Sequence, residues 1–350
     1  MTAFTQEYID ENRTRMFVCF GVNTVAGIVG VLLVVKASPK HMGVYKYFLL
    51  NIVLWSYLMD FVTTLLWMPL PAMPAPSICI SGLMKDLGNY NGNSLCFVIF
   101  IFAFGGCGAA CNVAIIFRLF AMRAQNLDVF TKKPILIIMV LVHILNTGPV
   151  IGGFYYAMDP TGYTDKELRE YHVREYPFIK DLVYLVPCGG FIMDETHKRA
   201  LVFLGITLVT VLIHIIFAVT NMVKILINLW KSMKLKKSLT KKEAFQKQLI
   251  TALVIQAMLP VLCLGIPYAL ITVEIVIKDE TLAELSNFLL TVGSLHSFFH
   301  TVTLATVIKP YRKFIFRIKT KKVTPQPQNV STQISQNLTQ KSPRFSTSVI

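Results

Sequence analysis

Charge is scarce in this chain. Asp, Glu, Lys and Arg make up only 15% of its 350 residues, against about a quarter in an average soluble domain. A soluble fold of this length needs a charged surface that the composition does not supply. Cysteine is sparse as well, and the seven cysteines form no C-x-x-C pair, which excludes a zinc ribbon or a thioredoxin-type motif. No G-x-x-x-x-G-K-[ST] loop occurs, so an ATP-driven pump has no phosphate cradle. The opening segment MTAFTQEYIDENRTR lacks the charged-then-apolar order of a cleavable signal peptide. The first apolar block is therefore expected to act as the insertion signal and to be retained.

What remains is apolar. Hydrophobic residues make up 54% of the chain. They are gathered in blocks of roughly 20 residues, each long enough at ~1.5 Å per residue to cross a hydrocarbon layer of ~30 Å. The formal net charge of +15 is scattered over the short segments between blocks, not drawn into a stripe, so no nucleic-acid partner is expected. Seven blocks are read: Met16–Val35, Tyr47–Pro69, Ser94–Phe117, Pro134–Tyr155, Ala200–Ile227, Ile250–Val273 and Asn287–Ile308. The seventh carries Ser, Thr and His and is the least hydrophobic. It counts as a span because an even number would put the two charged chain ends on the wrong sides.

The expected fold is an all-α membrane protein, a seven-helix bundle. Lys36, Lys40 and Lys46 lie in the 1–2 link, and Arg118, Arg123, Lys132 and Lys133 in the 3–4 link. Lys231, Lys234, Lys236, Lys237, Lys241, Lys242 and Lys247 fill the 5–6 link, and Lys309, Arg312 and Lys313 follow the seventh block. The 6–7 link is acidic, with Glu274, Asp279, Glu280 and Glu284. Basic short loops stay cytoplasmic, so the N-terminus is expected outside and the C-terminus inside.

That orientation divides the chain into an extracellular segment 1–15, a membrane domain 16–310 and a cytoplasmic tail 311–350. Asn12-Arg13-Thr14 is a glycosylation sequon on the outer side, and the matching patterns at Asn329 and Asn337 fall inside. After Pro310, YRKFIFRIKTKK puts Phe314, Ile315 and Ile318 on one side of a short helix suited to an anionic inner leaflet. Gln, Asn, Ser and Thr dominate from Pro325 on, where disorder is expected and residues between Ser331 and Ser348 are candidate phosphorylation sites.

An ionisable group inside a span costs roughly 2.5–3.5 kcal/mol on insertion scales, so each asks for a reason. Asp60 stands midway along the second block. It reads as an ion site, a ligand counter-ion, a metal ligand, or a hydrogen-bond hub with neutral partners such as Asn112 or Ser294. His296 and His300 lie one helical turn apart. With Asp60 they resemble part of the intramembrane zinc hydrolases, the alkaline ceramidase and adiponectin-receptor group, which carry H-x-x-x-H in their last helix. That group draws a third ligand from S-x-x-x-H, and here Ser56-Tyr57-Leu58-Met59-Asp60 has aspartate in place of the histidine. A catalytic zinc needs three protein ligands, so no metal and no cofactor is expected. The seventh block has no lysine for a retinal Schiff base.

The sixth block holds Pro260 and Pro267. Proline removes a backbone bond and kinks a helix, so the two are candidate hinges. In an oxidising exterior Cys188 of the 4–5 link has two candidate partners, Cys79 and Cys96. Cys79 is preferred because it is clear of the helix, and connectivity stays open.

Three stretches carry a resemblance to a known family: SPKHMGVYKYFLLNIVLWSYLMDF (Ser38 to Phe61), QKQLITALVIQAMLPVLCLGIP (Gln246 to Pro267) and SLHSFFHTVTLATVIKPYRKF, with Pro310, Tyr311 and Arg312 at its end. Together they resemble the nematode serpentine chemoreceptors of the Str superfamily, nearest the class H and class I branches, over nearly everything from the first loop to Phe314. The resemblance implies a G-protein-coupled chemosensory receptor with a short eighth helix. It would be a multi-pass protein of the plasma membrane and of sensory cilia, and not an enzyme. Its implied partners are a small-molecule ligand, a heterotrimeric G protein and membrane lipids.

Asp60, Phe104, Gln256, Tyr268 and His296 are the pocket candidates. Arg118, Arg123, Lys231, Lys234, Lys236, Lys237 and Arg312 are the candidates for the G-protein face. The chain departs from rhodopsin-like receptors where Phe117 precedes Arg118 and where IKPYR replaces N-P-x-x-Y, which puts an ionic latch at Arg118 in doubt. An intramembrane zinc hydrolase and a ligand-gated channel or transporter are the competing classes.

Overall fold

The computed structural model describes residues 4–122, 130, 132–158, 165–191, 199–234, 241–277 and 283–316. Those from 4 to 316 fall in one compact unit. Ile318, Arg123, Lys236, Lys237 and the tail sites lie outside the described residues, as do the side chains of Lys234 and Tyr268.

Helix α1 runs Gln6–Lys36, starting ten residues before the first apolar block. Its polar first turns are held by local chemistry. The Thr5 side chain accepts the Tyr8 amide at 3.2 Å as N-cap. Asp10 accepts from Gln6 at 3.1 Å and pairs with Arg13 at 3.2 Å. Ile9 is fully buried against Leu70, Cys79 and Ile179, so packing draws the helix past the point where its hydrophobicity stops.

Helix α2, Tyr45–Phe61, widens into a π-helical stretch, Val62–Trp67, and ends at Met68 in the left-handed region, φ 46°. The chain then turns into β1, Pro69–Pro71, and β2, Ser77–Ile80. Helix α3, Ser94–Met122, runs back down the bundle. Its run of small residues lets neighbours approach closely: a Cβ on Gly106 would stand 2.5 Å from the Trp55 ring. Helix α4 is Lys133–Met158, and the 4–5 link holds α5, Asp165–Glu175, and α6, Lys180–Leu185. Strand β3, Cys188–Gly190, then completes an antiparallel sheet in the order β1-β2-β3. The 2–3 and 4–5 links therefore carry strands and short helices that apolar length does not mark. We call this the sheet end of the bundle and the opposite one the basic end.

Helix α7, Arg199–Lys234, leaves Leu208, Ile213 and Ile216 largely exposed. Its apolar face has no protein partner there, as expected of a surface meant for lipid. The sixth span is broken into α8, Lys241–Pro260, a π-helical stretch Val261–Gly265, and α9, Ile266–Ile277. Glu274, read as part of the 6–7 link, is buried inside α9.

The seventh span is two helices, α10, Ala283–Gly293, and α11, His296–Val307. They meet at a bend of 47°. Helix α12, Lys309–Phe316, follows with Tyr311 buried and Phe314, Ile315 and Phe316 exposed. Among the described residues six helices are long and apolar enough to cross a membrane, seven when the bent pair counts as one span. Helix α3 packs on α2, α4, α7 and α8, and α11 on α1, α2 and α8.

Candidate functional site

A break in a membrane helix frees backbone groups that hydrocarbon cannot satisfy. At the α10–α11 break, side chains from other helices satisfy them. Gly293 lies so close to the Cys263 carbonyl of the wide turn in the sixth span that a Cβ would collide with it. The chain bends just past that contact. Asn23 of α1 donates to the Ser294 carbonyl at 2.6 Å, and the Ser297 amide donates to Asp60 Oδ2 at 2.6 Å. Asp60 is 1% exposed. It caps the N-terminus of α11 from another helix, where a carboxylate also meets the positive end of the helix dipole. Its partner is a backbone amide, not Asn112 or the Ser294 side chain. One turn on, Thr301 donates to the Ala26 carbonyl at 3.1 Å.

Directly below the cap, His296 and His300 are fully buried, with their Nε2 atoms 3.1 Å apart. Cys107 of α3 faces them, and among the described residues these three could together hold a metal ion. Sequence reasoning had two of the three. Cys107 sits in an apolar run with no motif around it, and nothing in the sequence marks it.

Asp60 and His296 thus meet at one helix start, Asp60 as the acceptor of the Ser297 amide and His296 as the first residue of α11. Phe104 is half-buried and stacks on Phe100 with centroids 6.3 Å apart, in a cluster with Trp67 and Cys263. Gln256 is fully buried, and neither polar atom of its amide has a hydrogen-bond partner among the described residues. Pro260, four residues on, has no N–H to bond the Gln256 carbonyl, and the π-helical stretch begins just after it. Pro267 lies just after the π-helical stretch, in α9.

At the basic end, Arg118 is 3% exposed. Its guanidinium lies 3.3 Å from the centroid of the Tyr45 ring and donates from Nη1 to Gln246 Oε1 at 2.8 Å. Tyr45 stacks in turn on Phe117. One arginine therefore bridges α2, α3 and α8 at their basic ends.

Nearby, the Tyr311 hydroxyl meets Ser38 Oγ at 2.7 Å, and the Lys309 amide donates to Gln248 Oε1 at 3.1 Å. Burial pushes the Tyr311 phenol up to about 12, which keeps it neutral in this contact. Arg312 donates to the Thr306 carbonyl at 3.3 Å near the end of α11 and stays exposed, as does Lys231.

At the sheet end, Cys79 and Cys188 are joined in a disulfide across paired strand positions. Cys96 is buried and free at the start of α3. Trp67 donates to Asn93 Oδ1 at 2.6 Å, and Asn93 donates to the Ile78 carbonyl at 2.7 Å, which fastens the sheet to the bundle. Asn12 is buried within α1, accepts from Arg15 at 2.9 Å and presents no exposed Nδ2. A glycan has no access to it in this arrangement.

The family model for serpentine type 7TM GPCR chemoreceptor Srh matches residues 10–321. The match runs from inside α1 to beyond α12 and takes in the cap on α11 and the Arg118 bridge. No curated protein matches the chain.

Proposed function

We propose a function from one premise: the chain belongs to the serpentine type 7TM GPCR chemoreceptor Srh family, a family of multi-pass membrane receptors. On our reading it is a chemosensory receptor that transmits small-molecule binding to a heterotrimeric G protein. It would stand in the plasma membrane of a sensory cilium, N-terminus outside and basic end inside. The observation that carries this reading is the bridge Tyr45–Arg118–Gln246. It ties α3 to the helix that carries the Pro260 break.

The small molecule would bind in the sheet-end half of the bundle among Asp60, Phe104, Gln256, Tyr268 and His296. A ligand shifts a conformational equilibrium only by its difference in affinity for the two arrangements. The second arrangement here is one in which α8 pivots at the wide turn after Pro260 and Gln246 leaves Arg118. That movement opens the basic ends of α3, α7 and α8 and frees Arg118 to meet the G protein. Lys231 and Arg312 are exposed and would join that contact, as would Arg123, Lys234, Lys236 and Lys237. In this account a buried Arg118 is the resting form of a G-protein contact.

The test is expression in cells with an odorant panel and an intracellular calcium reporter, with and without blockade of G-protein signalling. The account expects a ligand response that the block abolishes and that Arg118→Ala weakens. A response that persists through the block would mean that the chain conducts or transports by itself.

A further inference from the structure

The cluster below the α11 cap is used by neither the cap nor the Arg118 bridge. Cys107, His296 and His300 are all buried, and their ligand atoms, one from each residue, lie within 4.8 Å of one another. As a hydrogen bond, the contact between the two Nε2 atoms has room for one proton. Both Nδ1 atoms are then left buried without a partner among the described residues. Cys107 Sγ has a 3.4 Å contact with Ser56 Oγ and a further thiol contact with Cys111 one turn on.

The same atoms suit a metal ion better. Two imidazole nitrogens bound to one ion at about 2.0–2.1 Å, at an angle near 100°, stand about 3.1 Å apart. The histidine pair already has that separation. A thiolate bound at about 2.3 Å would lie about 3.5 Å from each nitrogen, and one ligand atom from each of the three residues already lies within 4.8 Å of the other two. Two imidazoles and a sulfur select a borderline-to-soft cation over magnesium or calcium, which take oxygen ligands.

We propose that Cys107, His296 and His300 form a zinc(II) site that ties α3 to α11. Binding replaces the proton of the Cys107 thiol, which is released to solvent, while both imidazoles bind in the neutral form. The thiolate offsets one of the two positive charges in a buried setting. Three protein donors leave a fourth position open. The site differs from that of the intramembrane zinc hydrolases, because Asp60 stands where their third ligand would be and caps α11. Here the third donor comes from α3. The proposal stands independently of the receptor reading.

The experiment uses the full chain purified in detergent, stripped with a chelator and dialysed against buffered zinc, with cobalt(II) as the spectroscopic substitute. The expected result is one zinc per chain, with a sulfur-to-cobalt charge-transfer band and tetrahedral d–d bands. Zinc should also raise the thermal midpoint, because it binds the folded chain. Cys107→Ser and His300→Gln should weaken binding at least about 100-fold, the upper end of what loss of a mere supporting residue costs. Cys19→Ser on α1 and His214→Gln on α7 should leave binding unchanged. Absence of stoichiometric zinc, zinc without the thiolate band, or Cys107→Ser binding as tightly as the unmodified chain would each overturn the site. If the Cys107 variant does not fold, the cobalt spectrum and the zinc-induced stabilisation of the unmodified chain decide the matter alone.

Discussion

His172 shows how one side chain makes an element depend on pH. It belongs to α5, is almost wholly buried, and has its Nε2 3.4 Å from the Phe191 carbonyl. Burial pushes its imidazole down from 6.5 to about 4. A base whose folded value is depressed favours the folded state in its neutral form. Its contribution is therefore complete above 6.5 and is lost as pH falls from there toward 4. Integrated over that window it reaches about 3 kcal/mol. The stability advantage of the unmodified chain over His172→Gln, which keeps a hydrogen-bonding group but does not titrate, should shrink by that amount between those limits. Thermal unfolding across the window reads it directly, and a gap that is constant with pH would remove His172 as the cause. At this scale the sequence is legible where a residue stands out from its surroundings. Asp60, His296 and the two bridged cysteines all did. Cys107, Asn23 and Tyr45 did not, because polar or sulfur side chains without charge or motif look like ordinary span residues until a partner is placed opposite them.

Helices of the bundle follow from apolar length alone, and the match between block and helix is close for the third, fourth and fifth spans. What apolar length cannot reveal is where a span breaks. Ser294 and Leu295 are not helix breakers, and Gly293 is a lone glycine. The break depends on the Cys263 carbonyl arriving from the sixth span and on two side chains from α1 and α2. The β-sheet was hidden for a different reason: β1 is three residues with proline at both ends, a composition that argues against a strand. The clamp on the break yields a graded expectation. Asn23→Leu and Asp60→Leu each leave a buried backbone group unpaired and should cost about 1–3 kcal/mol. Asp60→Asn keeps an acceptor for Ser297 and should cost less, losing only the attraction of a charge to the helix dipole. Chemical unfolding in detergent measures all three, and an Asp60→Leu chain as stable as the unmodified one would contradict the capping role.

For the molecule as a whole, the two ends do different work. The sheet end is fastened by a disulfide, a sheet and the Trp67–Asn93 contact, so motion there is restrained. At the basic end α3 and α8 pack through apolar side chains, and among the described residues one charged hydrogen bond, from Arg118 to Gln246, also joins them, close to a helix interrupted after Pro260. By the positive-inside bias the loop charges are expected to put that end in the cytoplasm, an expectation that draws on the whole chain and not on contacts. Whether Arg118 faces solvent or the interior was not readable, because its acceptor, Gln246, lies on another helix and carries no charge to announce a pair. The central claim is that release of Gln246 from Arg118 is the step that exposes this end to a G protein.

The most direct measurement is ligand-free G-protein activation by Gln246→Met, which keeps the side-chain length but removes the acceptor, compared with the unmodified chain at equal surface expression. A hydrogen bond to a charged group contributes about 1.5–3 kcal/mol. Its loss should shift the resting equilibrium by about tenfold or more and raise basal signalling several-fold, in a manner abolished by Arg118→Ala in the same chain. Basal signalling unchanged by Gln246→Met, with the variant folded and at the surface, would contradict the account.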